Sequence, residues 1–202
     1  MVRSINRVAH AVDHRLGRLG RTRNVLVDLR TPVCQAVLGP IYEGLGRRAD
    51  VSLTFTSEYP DRIRPLVADR AFITHREAEW RRFDLYLNAD PWAAARLRRC
   101  AKRINFFHGV AGKYDLDKPS GLPMGFEDYD RVAFINRDRM ERYLAAHVVT
   151  TAQARLVGYP KLDRLASGQL DGTAVRARLG VRVNPTTALY APTYSSASSL
   201  HL

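Results

Sequence analysis

Cysteine is scarce: Cys34 and Cys100 stand far apart, with no partner motif at metal-ligand or redox spacing. That excludes a disulfide framework and a zinc ribbon, and fits reduced thiols in the cytoplasm. No apolar run approaches the roughly 18 residues of a spanning helix. The N-terminus has basic residues but no continuous apolar h-region, so no secretory signal is expected. A P-loop, a GxGxxG fingerprint and an RNA-binding signature are all missing. Acids are outnumbered, 20 Asp and Glu against 32 Lys and Arg, which leaves a formal charge of +12 over 202 residues. Such an excess suits anionic partners such as phosphorylated substrates or anionic lipid, although an Arg-rich, Ala-rich composition alone produces the same bias. Nucleic acid is not expected as a partner.

What is present begins with "MVRSINRVAHAVDHRLGRLGRTR". Val2, Ile5, Ala9, Val12, Leu16 and Leu19 recur at intervals of three and four, one face of a helix. Arg3, Arg7, Arg15, Arg18, Arg21 and Arg23 fill the remainder against a single acid, Asp13. Residues 1–23 are read as a basic amphipathic helix, which can lie on an anionic membrane or pack on its own domain.

From Asn24 strands and helices alternate. "NVLVDL", "VSLTFTS", "AFIT", "DLYLNAD", "INFFHGV", "RVAFIN", "ARLVGYP" and "TALYAPT" read as strands. "VCQAVLGPIYEGLGRR" reads as a helix that Gly39-Pro40 should kink or split, and Pro91 is expected to open a helix over "PWAAARLRRCAKR". Further helices are expected over "DRIRPLVADR", "HREAEWRR", "RDRMERYLAA", "KLDRLAS" and "GTAVRARLG". Continuous apolar strands interleaved with helices predict an α/β, Rossmann-like parallel sheet with helices on both faces.

In such sheets ligands sit beyond the C-terminal ends of strands. His108-Gly109 follows "INFF", Gly158-Tyr159-Pro160 follows "ARLV", and Pro192-Thr193-Tyr194-Ser195 follows "TALYA". Chain order sends all three to one edge. By residue type, His108 is open to two readings: a base near neutral pH, or a histidine satisfied by a loop carbonyl. Lys113 can neutralise a phosphate, and Asp115 either orients His108 or belongs to an ordinary polar loop. Asp115 and Asp117 at i, i+2 are too common a pattern to argue for a metal, and none is expected. Gly158 and Pro160 most simply shape a turn. Thr193, Ser195 and Ser196 can cradle phosphates at a strand-to-helix turn, or form a plain tail.

Phe107-His108-Gly109, then Gly158, Pro160 and Asp163, then Tyr190 to Tyr194 form an ordered set that resembles the CDP-glycerol glycerophosphotransferase family, bacterial enzymes that build or prime teichoic-acid-like polymers. The resemblance covers about residues 24 to 202 in organisation, and its motifs are short. It implies a GT-B fold, in which residues 24–185 are the N-terminal, acceptor-side domain and residues 186–202 open a C-terminal nucleotide-binding domain. It implies His108 as general base, with Gly109, Lys113, Asp115, Gly158, Thr193, Ser195 and Ser196 near substrate. The donor would be CDP-glycerol or another nucleotide-activated compound, used as a substrate and not as a cofactor. The acceptor would be a lipid-linked or polymeric hydroxyl at the inner face of the cell membrane. Most of the family's donor-holding residues have no counterpart in these 202 residues, so the chain alone is expected to be incomplete and inactive. A different GT-B nucleotide-sugar enzyme and a non-catalytic Rossmann-like domain are the competing readings.

Overall fold

The computed structural model describes residues 22–90, 96–109, 125–182, 186–188 and 190. The chain divides into two compact units, Met1–Asp163 and Arg164–Leu202. The expected helix over residues 1–23 lies almost wholly outside the described residues, as do residues 91–95 and 110–124.

The first unit is built on seven parallel strands: β1 (Arg23–Asp28), β2 (Val51–Thr56), β3 (Ala71–Phe72), β4 (Arg82–Asn88), β5 (Arg99–Phe106), β6 (Arg131–Phe134) and β7 (Ala154–Leu156). Their spatial order is β3-β2-β1-β4-β5-β6-β7. The chain runs outward from β1 to β3, returns to the other side of β1, and runs outward again to β7. Right-handed crossovers in opposite directions lie on opposite faces. One face therefore holds α1 (Pro32–Gly46) and α2 (Pro60–Ile63), the latter continued by a 3-10 turn over Arg64–Val67. Cys34, Leu38 and Tyr42 of α1, with Ile63 and Val67, pack there on Val25, Val27, Phe55 and Leu87. The other face takes α3 (His75–Trp80), Leu97, Phe126 and α4 (Arg137–Ala145). Ala78 and Tyr143 from those helices join Leu26, Tyr86, Val132 and Phe134 in a second core. Phe107 is its centre, with ring centroids 5.6 Å from Phe126, 5.1 Å from Phe134 and 5.4 Å from Tyr143. Cys34 and Cys100 are free thiols, one in each core.

Two local expectations fail. α1 is continuous through Pro40, so the expected split does not occur; the preceding apolar and small residues keep the face packed on the sheet, and burial outweighs one lost hydrogen bond. The helix expected over "PWAAARLRRCAKR" does not reach its end, because Arg99–Phe106 is strand β5, paired with β4 from Arg82↔Arg99 to Asn88↔Asn105. Of the last expected strand, the described residues 187, 188 and 190 are not extended in a sheet.

In the second unit, α5 (Asp163–Ala166, beginning at the boundary) and α6 (Gly172–Arg178) bury no side chain, and Asp171 Oδ1 caps α6 by accepting from the Thr173 and Ala174 amides.

Candidate functional site

The switch point of the sheet lies between β1 and β4, and the C-terminal edge there gathers polar residues. β5 ends at Phe106, and Phe107 turns into the core with 6% exposure. That anchor leaves the next residue, His108, exposed at the edge. His108 Nδ1 lies 2.9 Å from the Ala89 carbonyl oxygen, just past β4. A carbonyl can only accept, so Nδ1 carries the proton and, in the neutral ring, Nε2 is the basic nitrogen. The His108 carbonyl accepts a hydrogen bond from the Tyr159 hydroxyl at 3.1 Å, and the Gly109 carbonyl accepts one from Arg139 Nη1 at 2.6 Å. The histidine is thus fixed through its ring and through two successive carbonyls.

Each clamp is itself held. Arg139 sits in the first turn of α4, where Asn136 Oδ1 caps the helix by accepting from the Arg139 amide at 2.8 Å. Its guanidinium lies 3.7 Å from the Phe107 ring centroid and donates to the Tyr143 hydroxyl at 3.3 Å. Tyr159 follows Gly158, whose φ of +79° is a conformation that favours glycine. Past that turn, the 3-10 turn Pro160–Leu162 packs against α1. Partial burial raises the Tyr159 phenol above its ordinary value.

Beside this group, Arg30 at the end of β1 pairs with Asp90 at 2.9 Å and Glu58 at 3.0 Å. The Asp90 hydrogen bond leads in raising the guanidinium's pKa, so Arg30 is a fixed cation whose charge is answered locally. One step inward, the sheet carries a row of buried polar side chains. Thr56, Asp28, Asn88 and Asn105 are register partners across β2, β1, β4 and β5, with exposures of 0%, 3%, 2% and 0%. Asn105 Nδ2 donates to Asn88 Oδ1 at 2.7 Å, and Asn88 Nδ2 donates to the Asp90 carbonyl at 2.8 Å. Asp28 accepts from the Tyr86 hydroxyl at 2.6 Å and meets His75 Nε2 at 3.1 Å. The Asp28 carboxylate raises the His75 pKa above 6.5, against the opposing effect of burial. Thr56 Oγ1 and Asn105 Oδ1 have no hydrogen-bond partner among the described residues. Burial also raises the Tyr129 phenol, whose hydroxyl lies beside the Asn88 and Asn105 amides without a well-aligned bond to either.

Of the residues singled out from the sequence, the structure brings together His108, Gly109 and Gly158. Lys113, Asp115, Thr193, Ser195 and Ser196 lie outside the described residues. No group of three or more metal-ligating side chains occurs among the described residues. Arg139 and the Ala89 carbonyl were not foreseen; Tyr159 was expected at this edge, but not its contact with the His108 carbonyl. The polar row had a partial signal: Asp28 and Asn88 close the runs "VLV" and "LYL", whereas Thr56 ends an alternating stretch and Asn105 interrupts an apolar one.

A crystal structure of UDP-GlcNAc 2-epimerase from Neisseria meningitidis bound to UDP-GlcNAc superposes with a TM-score of 0.51 at 10% identity, over 77% of this chain and 52% of that one. The fold is Rossmann-like, of the kind that GT-B enzymes use. The chain spans about half the length of that neighbour. No family model and no curated protein matches the sequence. Among the described residues, no helix is long and apolar enough to cross a membrane.

Proposed function

We propose that this chain supplies the acceptor-side half of a GT-B-type enzyme that uses a nucleotide-activated donor, with His108 as general base. The observation that carries the reading is the Nδ1 contact to the Ala89 carbonyl, which leaves Nε2 basic at the sheet edge where ligands of such folds bind. The three sequence motifs favour glycerol phosphate as the transferred group. In that reaction His108 Nε2 takes the proton of an acceptor hydroxyl while its oxygen bonds to the β-phosphorus of CDP-glycerol. The bond from that phosphorus to the bridging oxygen breaks, and CMP leaves with the electron pair. A hydroxyl is a weak nucleophile at neutral pH, so the base contributes about 10²–10⁴-fold. Asp115 and Lys113 are proposed to border the same acceptor site, and Thr193, Ser195 and Ser196 the donor phosphates.

The test is CMP release from CDP-glycerol by this chain together with the nucleotide-binding half that the proposal requires. His108→Ala and His108→Gln should each lose activity by about 10²–10⁴-fold. Undiminished turnover in both would end the base assignment. A nucleotide-sugar donor is the second reading, favoured by the epimerase likeness. A thermal-shift series with CDP, UDP and GDP separates the two: stabilisation by UDP alone overturns CDP-glycerol.

A further inference from the structure

We propose that residues 1–21 dock as an amphipathic helix in an apolar groove on the sheet face that carries α1. Among the described residues, crossover handedness leaves that face with less cover than the other. The connections β3–β4, β4–β5, β5–β6 and β6–β7 all contribute described side chains to the opposite core, among them Ala78, Leu97, Phe126 and Tyr143. Among the described residues, α1, α2 with its 3-10 continuation and the turn Pro160–Leu162 are placed on the α1 side, and they leave its end near the strand N-termini open. There, beside the N-terminal ends of β1, β4, β5 and β6, a cavity of about 560 Å³ opens among Val25, Leu45, Val51, Leu85, Ala101 and Ile104. It lies at the end of the strands opposite to His108, so it is separate from the candidate catalytic edge.

Three observations point to residues 1–21 as the occupant. The first is the tether: Arg23 is both the first residue of β1 and part of the cavity wall, so the preceding chain arrives at the rim. The second is length. As a helix, 21 residues span about 31 Å, while four neighbouring strands are about 14 Å across. The third is pattern. Val2, Ile5, Ala9, Val12, Leu16 and Leu19 recur at helical spacing as one apolar face, which matches the apolar lining of the groove. An amphipathic helix draws most of its stability from packing its apolar face, so the sheet supplies what propensity does not. The same apolar face cannot be buried in the groove and in a lipid surface at once.

Hydrogen exchange on the intact chain tests this without lipid. Amides of residues 5–19 should exchange at least about tenfold slower than in a synthetic peptide of residues 1–21, the difference between a docked and a free segment. Val12→Asp with Leu16→Asp should restore the peptide rate while β4 amides stay protected. Ala101→Arg, on the groove side, should release the segment in the same way, again with β4 intact. Free-peptide exchange in the wild type overturns the proposal. So does protection that appears only with phosphatidylglycerol vesicles, that grows with protein concentration, or that survives Ala101→Arg.

Discussion

His75 and Asp28 show how a single pair ties the fold to proton concentration. Asp28 raises the His75 pKa above 6.5, its ordinary value. A group whose folded pKa is raised stabilises the fold fully below the unfolded value, and that contribution disappears as pH rises through the folded value. The urea midpoint should therefore fall as pH rises above about 6.5. His75→Gln should flatten that part of the profile; an unchanged slope would mean that other groups set it. The wider lesson at this scale is uneven. His108 and Gly109 were legible because a polar residue after an apolar run is a local signal. Arg139 was not, because its partners Phe107 and Gly109 are about thirty positions away in sequence, and nothing local distinguishes it from the other arginines of α4.

Helix caps and turns bear directly on the clamp around His108. Asn136 caps α4, so Asn136→Ala should cost about 1 kcal/mol, measured by chemical denaturation. It should also loosen Arg139, which is visible as a lowered kcat with little change in KM. Gly158 has open space around its missing Cβ but a φ of +79°. Gly158→Ala should consequently cost about 1–2 kcal/mol through backbone conformation alone. A neutral result would mean that the turn relaxes without the Tyr159 contact. The elements themselves were mostly readable, since apolar runs and Pro-headed helices are local. The strand over Arg99–Arg103 was not, because Pro91 reads as a helix start and the stretch after it reads on as that helix. Pairing with β4 decided otherwise, and Arg103 Nη2 donates to the Leu97 carbonyl.

For the whole molecule, the parallel sheet was foreseeable from alternation, whereas the unequal cover of its two faces follows from strand order, which no local pattern encodes. Two cores back to back have a measurable corollary. Phe134 is fully buried in one and Phe55 in the other. Truncating either to alanine should cost about 3–5 kcal/mol, and equal losses of cooperativity would mark the sheet as one folding unit. The cysteines offer a gentler route to the same question. Cys34 is 1% exposed and Cys100 is 6% exposed, and burial pushes the Cys100 thiol up to about 11. Neither should react with a disulfide reagent until its own core opens. Labelling that proceeds at one shared rate would mean that both sides of the sheet breathe together, and two rates would time each side separately. The protein thus carries its own pair of unfolding clocks, already in place without a single engineered residue.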